Sequence, residues 1–124
     1  MNTKLAYYAH SMRKYNTVIE EEEYNFICSH FSGIVICPNK HLGDFASIEP
    51  YLKVVETTSV VYASEILNCI GSGVFDECAF ALSKNIPVYV VRQNDKNEFY
   101  ILPVLGVEKR KFARASAYGD FITK

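Results

Sequence analysis

Two short loops hold the residue types that could do chemistry. Gly71-Ser72-Gly73 lets a ligand approach the backbone closely, because glycine has no side chain, and Ser72 can cap the helix that follows. Glu77 stands one turn into that helix, where the helix dipole favours an ionised carboxylate and the glycines leave room in front of it. Such a carboxylate can attack an electron-poor carbon, or stabilise the oxocarbenium-like transition state of glycosidic bond cleavage. The spacing alone also fits a glutamate that only complements the dipole. Asp76 is turned about 100° around the helix axis from Glu77, so the two carboxylates are not automatically a dyad.

The other loop, His10-Ser11-Met12-Arg13, offers a hydroxyl, a guanidinium and backbone amides just before a capped helix. That set suits a phosphate or another anion, which Arg13 can bind bidentately. Blander roles exist for each residue: Ser11 closing a turn, Arg13 solvated, Met12 in the core.

Further clusters point less clearly to a site. Glu20 to Glu23 are consecutive helical residues pointing in different directions, which favours a solvated face over a metal site. Cys28, Cys37, Cys69 and Cys78 form no CxxC pair and sit in apolar segments, so they read as buried reduced thiols and not as zinc ligands or disulfides. The basic run Lys109 to Arg114 reads as a solvated end. The glycine loop is neither a GxGxxG fingerprint nor a Walker loop, so no cofactor and no metal is expected.

The elements that must position these loops alternate along the chain. Lys4 to Ala9 reads as a strand, and Thr17 with Glu20 forms a capping box for a helix reaching about Phe31. Gly33 stops that helix, and Ile34 to Cys37 is an apolar strand ended by Pro38. A loop over Asn39 to Ala46 leads to a helix from near Ser47 with Pro50 in its first turn. Ser59 to Ala63 is a third strand, Val74 to Leu82 carries the apolar face of a helix, Pro87 to Val91 is a fourth strand, and Phe99 to Leu105 is a candidate fifth.

Strands apolar on both faces and alternating with helices specify an α/β fold: a small doubly wound, Rossmann-like or flavodoxin-like parallel sheet of four to five strands with helices on both faces. In such a sheet the ligand site lies beyond the carboxyl ends of the strands, which selects the loops after the first three strands.

At 124 residues the chain is expected to be a single domain spanning 1–124. A net charge of -1 argues against a broadly basic nucleic-acid binder. No run approaches the roughly 18 apolar residues of a membrane span, and the N-terminus lacks a secretory stretch, so a cytoplasmic location is expected.

Two segments together resemble a family. Tyr7 to Arg13 (YYAHSMR) is similar to the first strand and loop of the nucleoside 2-deoxyribosyltransferases and the related deoxynucleoside 5′-monophosphate N-glycosidases. Gly73 to Ala81 (GVFDECAFA), followed by Lys84-Asn85-Ile86-Pro87-Val88, is similar to their glutamate-bearing helix and the turn into the next strand. The likeness runs from about Lys4 to Val91. It implies that Glu77 is the nucleophile at the anomeric carbon of a nucleoside or nucleotide. It also implies that Ser11 and Arg13 hold a 5′-phosphate, that Tyr8, His10, Gly71, Ser72 and Gly73 complete the substrate site, and that the chain forms a homodimer. The chain departs from the family pattern at His10, Ser59, Gly71 and Ala79. The missing Asp positions favour hydrolysis or a non-standard substrate over base exchange, and the changes at His10, Ser59 and Gly71 motivate the alternative of a nucleotide-binding protein, a sensor or sequestering protein, without chemistry. Glu65, His10, Asp44 and His41 lie in suitable loops to replace the missing polar partners.

Overall fold

A computed structural model describes residues 4–110 and 119–123. Strands β1 (Leu5–Ala9), β2 (Ile34–Ile36), β3 (Val60–Ser64), β4 (Val88–Gln93) and β5 (Phe99–Pro103) form one sheet in the order β2-β1-β3-β4-β5. The first four are parallel, and β5 runs antiparallel to β4. The α/β sandwich expected from the alternation is therefore present, with one correction: the fifth strand closes the edge as a hairpin arm. Only the short turn around Asn94 to Glu98 separates it from β4, too short for the crossover that a parallel partner needs.

Helix α1 (Val18–His30) covers one face of the sheet; α3 (Glu49–Glu56) and α4 (Ser72–Ser83) cover the other, and a single-turn α2 (Pro38–His41) follows β2. Two further strands, β6 (Gly106–Lys109) and β7 (Gly119–Ile122), pair antiparallel and pack against the α4 side through Val107 and Phe121. This pair was not foreseen from the sequence. The Lys109 to Arg114 run starts at its edge, where Arg110 pairs with Asp120 at 3.0 Å; residues 111–114 lie outside the described residues.

Alternation along β1 divides the core. Tyr7 and Ala9 join Val61, Ala63, Val74, Cys78 and Ala81 on the α3/α4 side, while Ala6 and Tyr8 join Ile27, Val35 and Tyr62 on the α1 side. Cys37, Cys69 and Cys78 are buried as expected, whereas Cys28 is exposed on α1. Among the described residues no helix is long and apolar enough to cross a membrane.

Local signals set the element ends. Thr17 caps α1 by accepting the Glu20 amide at 3.2 Å, while the Glu20 carboxylate returns to the Asn16 amide at 3.0 Å, one residue earlier than a standard capping box. At Gly33 a Cβ would stand 2.5 Å from the Lys4 carbonyl oxygen, so only glycine lets the chain enter β2 beside β1. After α4, Asn85 takes a left-handed φ of 60°, a conformation asparagine tolerates where a helix must turn into a strand.

Candidate functional site

The strand order reverses between β1 and β3, and a pocket of about 600 Å³ opens beyond their carboxyl ends. It is walled by residues 10–13 and Tyr15 after β1, residues 44–48 before α3, Tyr51 of α3, and the first turns of α4. Hydrogen bonds between Ile70 and Gly119 in both directions tie the loop that enters α4 to β7, which holds that wall in place.

Glu77 lies within this pocket with only 6% of its surface exposed. The Tyr7 hydroxyl donates to its Oε2, and among the described residues nothing donates to Oε1. Burial, helped by the nearby Asp76 charge and opposed by the Tyr7 hydrogen bond, pushes the Glu77 carboxyl up to about 8. The ionised form expected from the helix dipole is thus not favoured at neutral pH. Glu77 is the sixth residue of α4, beyond the first turn over which the dipole acts, so burial decides. Burial and the Glu77 carboxyl beside it also raise the Tyr7 hydroxyl, which stays a donor. Asp76 points outward and is exposed, in keeping with its angular offset.

Gly71 occupies the cap position of α4 without a side-chain cap, and Ser72 is the first helical residue. The expected capping by Ser72 does not occur, because the chain enters the helix one residue earlier. The first amides of α4 are left without a side-chain partner at the pocket wall. A Cβ at Gly73 would meet no protein atom within 4 Å, so the space in front of this glycine is open to a ligand.

Ser11 opens a 3-10 turn, Met12–Lys14, its hydroxyl accepting the Arg13 amide at 3.2 Å, and both residues line the pocket. The Arg13 guanidinium is exposed and has no acidic partner among the described residues. Lys14 anchors the turn from behind, bonding Glu23 at 3.0 Å and the Ser64 hydroxyl. His10 also lines the pocket, but both ring nitrogens are engaged: Nδ1 with the Tyr8 carbonyl at 3.1 Å and Nε2 with Glu20 Oε2 at 2.6 Å. It therefore shapes the wall and has no nitrogen free to serve a substrate.

Tyr8 is not part of the site. Its neighbour Tyr7 points toward α4, so strand alternation sends Tyr8 to the α1 side, where it is fully buried, stacks on His10 at 3.8 Å and donates to Glu23 at 2.5 Å. The solvated reading of Glu20 to Glu23 is half corrected. Glu21 and Glu22 are exposed, but Glu20 and Glu23, three apart on one face, are buried because they serve His10, Tyr8, Lys14 and Ser64. Burial acts to raise the Glu20 carboxyl, yet bonds from His10, Asn16 and Asn39 outweigh it and leave it below the usual range.

Of the residues weighed as substitute polar partners, His10 and Asp44 line the pocket. Glu65 instead pairs with Arg92 at 2.9 Å, and His41 accepts the Cys37 amide at 2.8 Å. Tyr7, Tyr15, Phe45 and Tyr51 line the pocket and were not singled out from the sequence. For Tyr7 the available signal was its place two before Ala9 on a strand that feeds the site.

The ligand-type atoms of His10, Glu20 and Cys37 lie within 4.8 Å of one another, a donor set that zinc accepts. Here a proton between His10 and Glu20 satisfies both, and the Cys37 thiol donates to Asn39 at 3.2 Å. Burial, with the Glu20 charge, pushes that thiol up to about 11. The three side chains are thus joined by hydrogen bonds and are not arranged around an ion.

No protein-family model, no curated protein and no solved structure matches the chain.

Proposed function

We propose that the chain cleaves, or transfers at, the N-glycosidic bond of a nucleoside or nucleotide, with Glu77 as nucleophile. The observation that carries this reading is Glu77 itself: a carboxyl group in the pocket lining with one oxygen bound by Tyr7 and, among the described residues, no donor to the other, beside Ser11 and an Arg13 that has no acidic partner among the described residues. Oε1 attacks the anomeric carbon, the carbon–nitrogen bond breaks, and its electron pair leaves with the base, which takes a proton from water. A glycosyl ester remains, and water or a second base resolves it and frees the carboxylate. Arg13, Ser11 and the open amides of α4 suit a 5′-phosphate. A volume of about 600 Å³ lies within the range of small-molecule sites. The likeness in residues 4–91 supports the same reaction, in a homodimeric, cytoplasmic protein that needs no cofactor.

Incubation with a panel of deoxynucleosides and their 5′-monophosphates, followed by chromatography, tests the proposal. The expected result is release of free base, abolished in Glu77→Ala while nucleotide binding persists; equal turnover by that variant would overturn it.

One observation favours a second reading, a nucleotide-binding protein without chemistry: the raised Glu77 pKa keeps most of the carboxyl neutral at pH 7. Nucleotides that stabilise the protein and are recovered intact, at pH 7 and at pH 8.5 alike, would establish it.

A further inference from the structure

Charged side chains around two pockets of the described residues are treated differently. In the polar groove across the sheet, about 730 Å³ in volume, Lys14 is paired with Glu23 and Arg92 with Glu65. In the Glu77 pocket, Arg13 and Asp44 line the wall, both are exposed, and neither has an ion-pair or hydrogen-bond partner among the described residues. They come from different loops, one after β1 and one before α3, so the pocket offers an unpaired cation and an unpaired carboxylate on separate segments. Two aromatic residues that follow Asp44 in sequence line the same pocket. Phe45 and Tyr51 pack edge to face at 5.1 Å, and the Phe45 amide donates to the Tyr51 hydroxyl at 3.3 Å, which fixes the residue beside Asp44.

Resting on the nucleotide reading above, we infer that Asp44 is the specificity-determining residue for the base. An ionised carboxylate only accepts hydrogen bonds, so it recognises a ring edge that presents N–H donors and repels one that presents acceptors. Two parallel bonds to one carboxylate require two adjacent donors, which a guanine-type base supplies through its ring N–H and its 2-amino group. Arg13 holds the phosphate at the other end, Phe45 and Tyr51 offer ring faces to the base, and Asp44 reads its edge. Hypoxanthine, the same ring without the 2-amino group, leaves one of the two bonds unmade.

The test measures equilibrium binding of the 2′-deoxynucleoside 5′-monophosphates of guanine and hypoxanthine to Glu77→Ala protein, which removes turnover from the measurement. The expected result is a preference for the guanine nucleotide of about tenfold. Adding Asp44→Ala should bring the two affinities to within about twofold, whereas adding Arg13→Ala should weaken both and keep their ratio. Binding of both nucleotides with the same ratio whether or not Asp44 is present overturns this inference and leaves the nucleotide reading standing. Failure of both nucleotides to bind overturns the nucleotide reading, and this inference with it.

Discussion

The Glu77 carboxyl binds a proton near neutral pH because burial raises it to about 8, whereas nucleophilic attack needs the anion. Turnover is therefore expected to climb through pH 7, reach half its maximum near pH 8 and level off about a unit higher, which a pH–rate profile checks. The same shift fixes a stability slope. The folded state holds a proton that the unfolded chain releases near the ordinary value of 4.5, so this contribution is full below pH 4.5 and is lost as pH rises to about 8. Glu77→Gln should flatten that slope and leave the variant more stable than the parent at pH 8 by on the order of a few kcal/mol, measured by urea denaturation across the pH series. Tyr7→Phe removes the hydrogen bond that pulls the carboxyl downward; the rate profile should move to higher pH and turnover should fall about tenfold or more. At this scale the sequence showed Glu77, Ser11 and Arg13, because glycines, a helix start and a loop after a strand are local signals. It did not show Tyr7 or exclude Tyr8, since adjacent strand residues look alike until it is known which helix covers which face.

The elements carry a second, buried layer of polar contacts that hold the site from behind. Glu23 on α1 receives Tyr8 from β1, Ser64 from the end of β3 and Lys14 from the 3-10 turn, so one side chain ties four segments together. Glu23→Ala leaves Lys14 and Tyr8 without their acceptor and should destabilise the fold by about 3 kcal/mol, read from the midpoint of chemical denaturation. The strand–helix alternation and the capping box of α1 were legible because they depend on residues close in sequence. The buried side of the acidic run was not, since its partners lie up to 41 residues away in Ser64. The antiparallel β5 follows from a turn length, a signal the sequence did contain. The β6–β7 pair depends on contacts with α4 and had no local mark.

For the molecule as a whole, the pocket is walled by the short loops and helix turns that connect the strands of the sheet. Ligand capture is then linked directly to global stability. A nucleoside monophosphate at a hundred times its dissociation constant should add about 2.7 kcal/mol and raise the melting temperature by on the order of 10 °C, measured by thermal shift with and without Arg13→Ala. The formal charge of -1 sharpens the point: attraction for an anion has to come from Arg13 and the α4 amides, not from a general positive field.

The thiols complete this description. Three of the four are buried, and Cys28 alone is exposed, on the last turns of α1. That helix begins beside the pocket and ends at the opposite rim of the sheet, so Cys28 is the place where a fluorophore or a surface tether can be attached without touching the site. The molecule thus comes with a built-in handle for testing in real time whether a nucleotide enters the pocket.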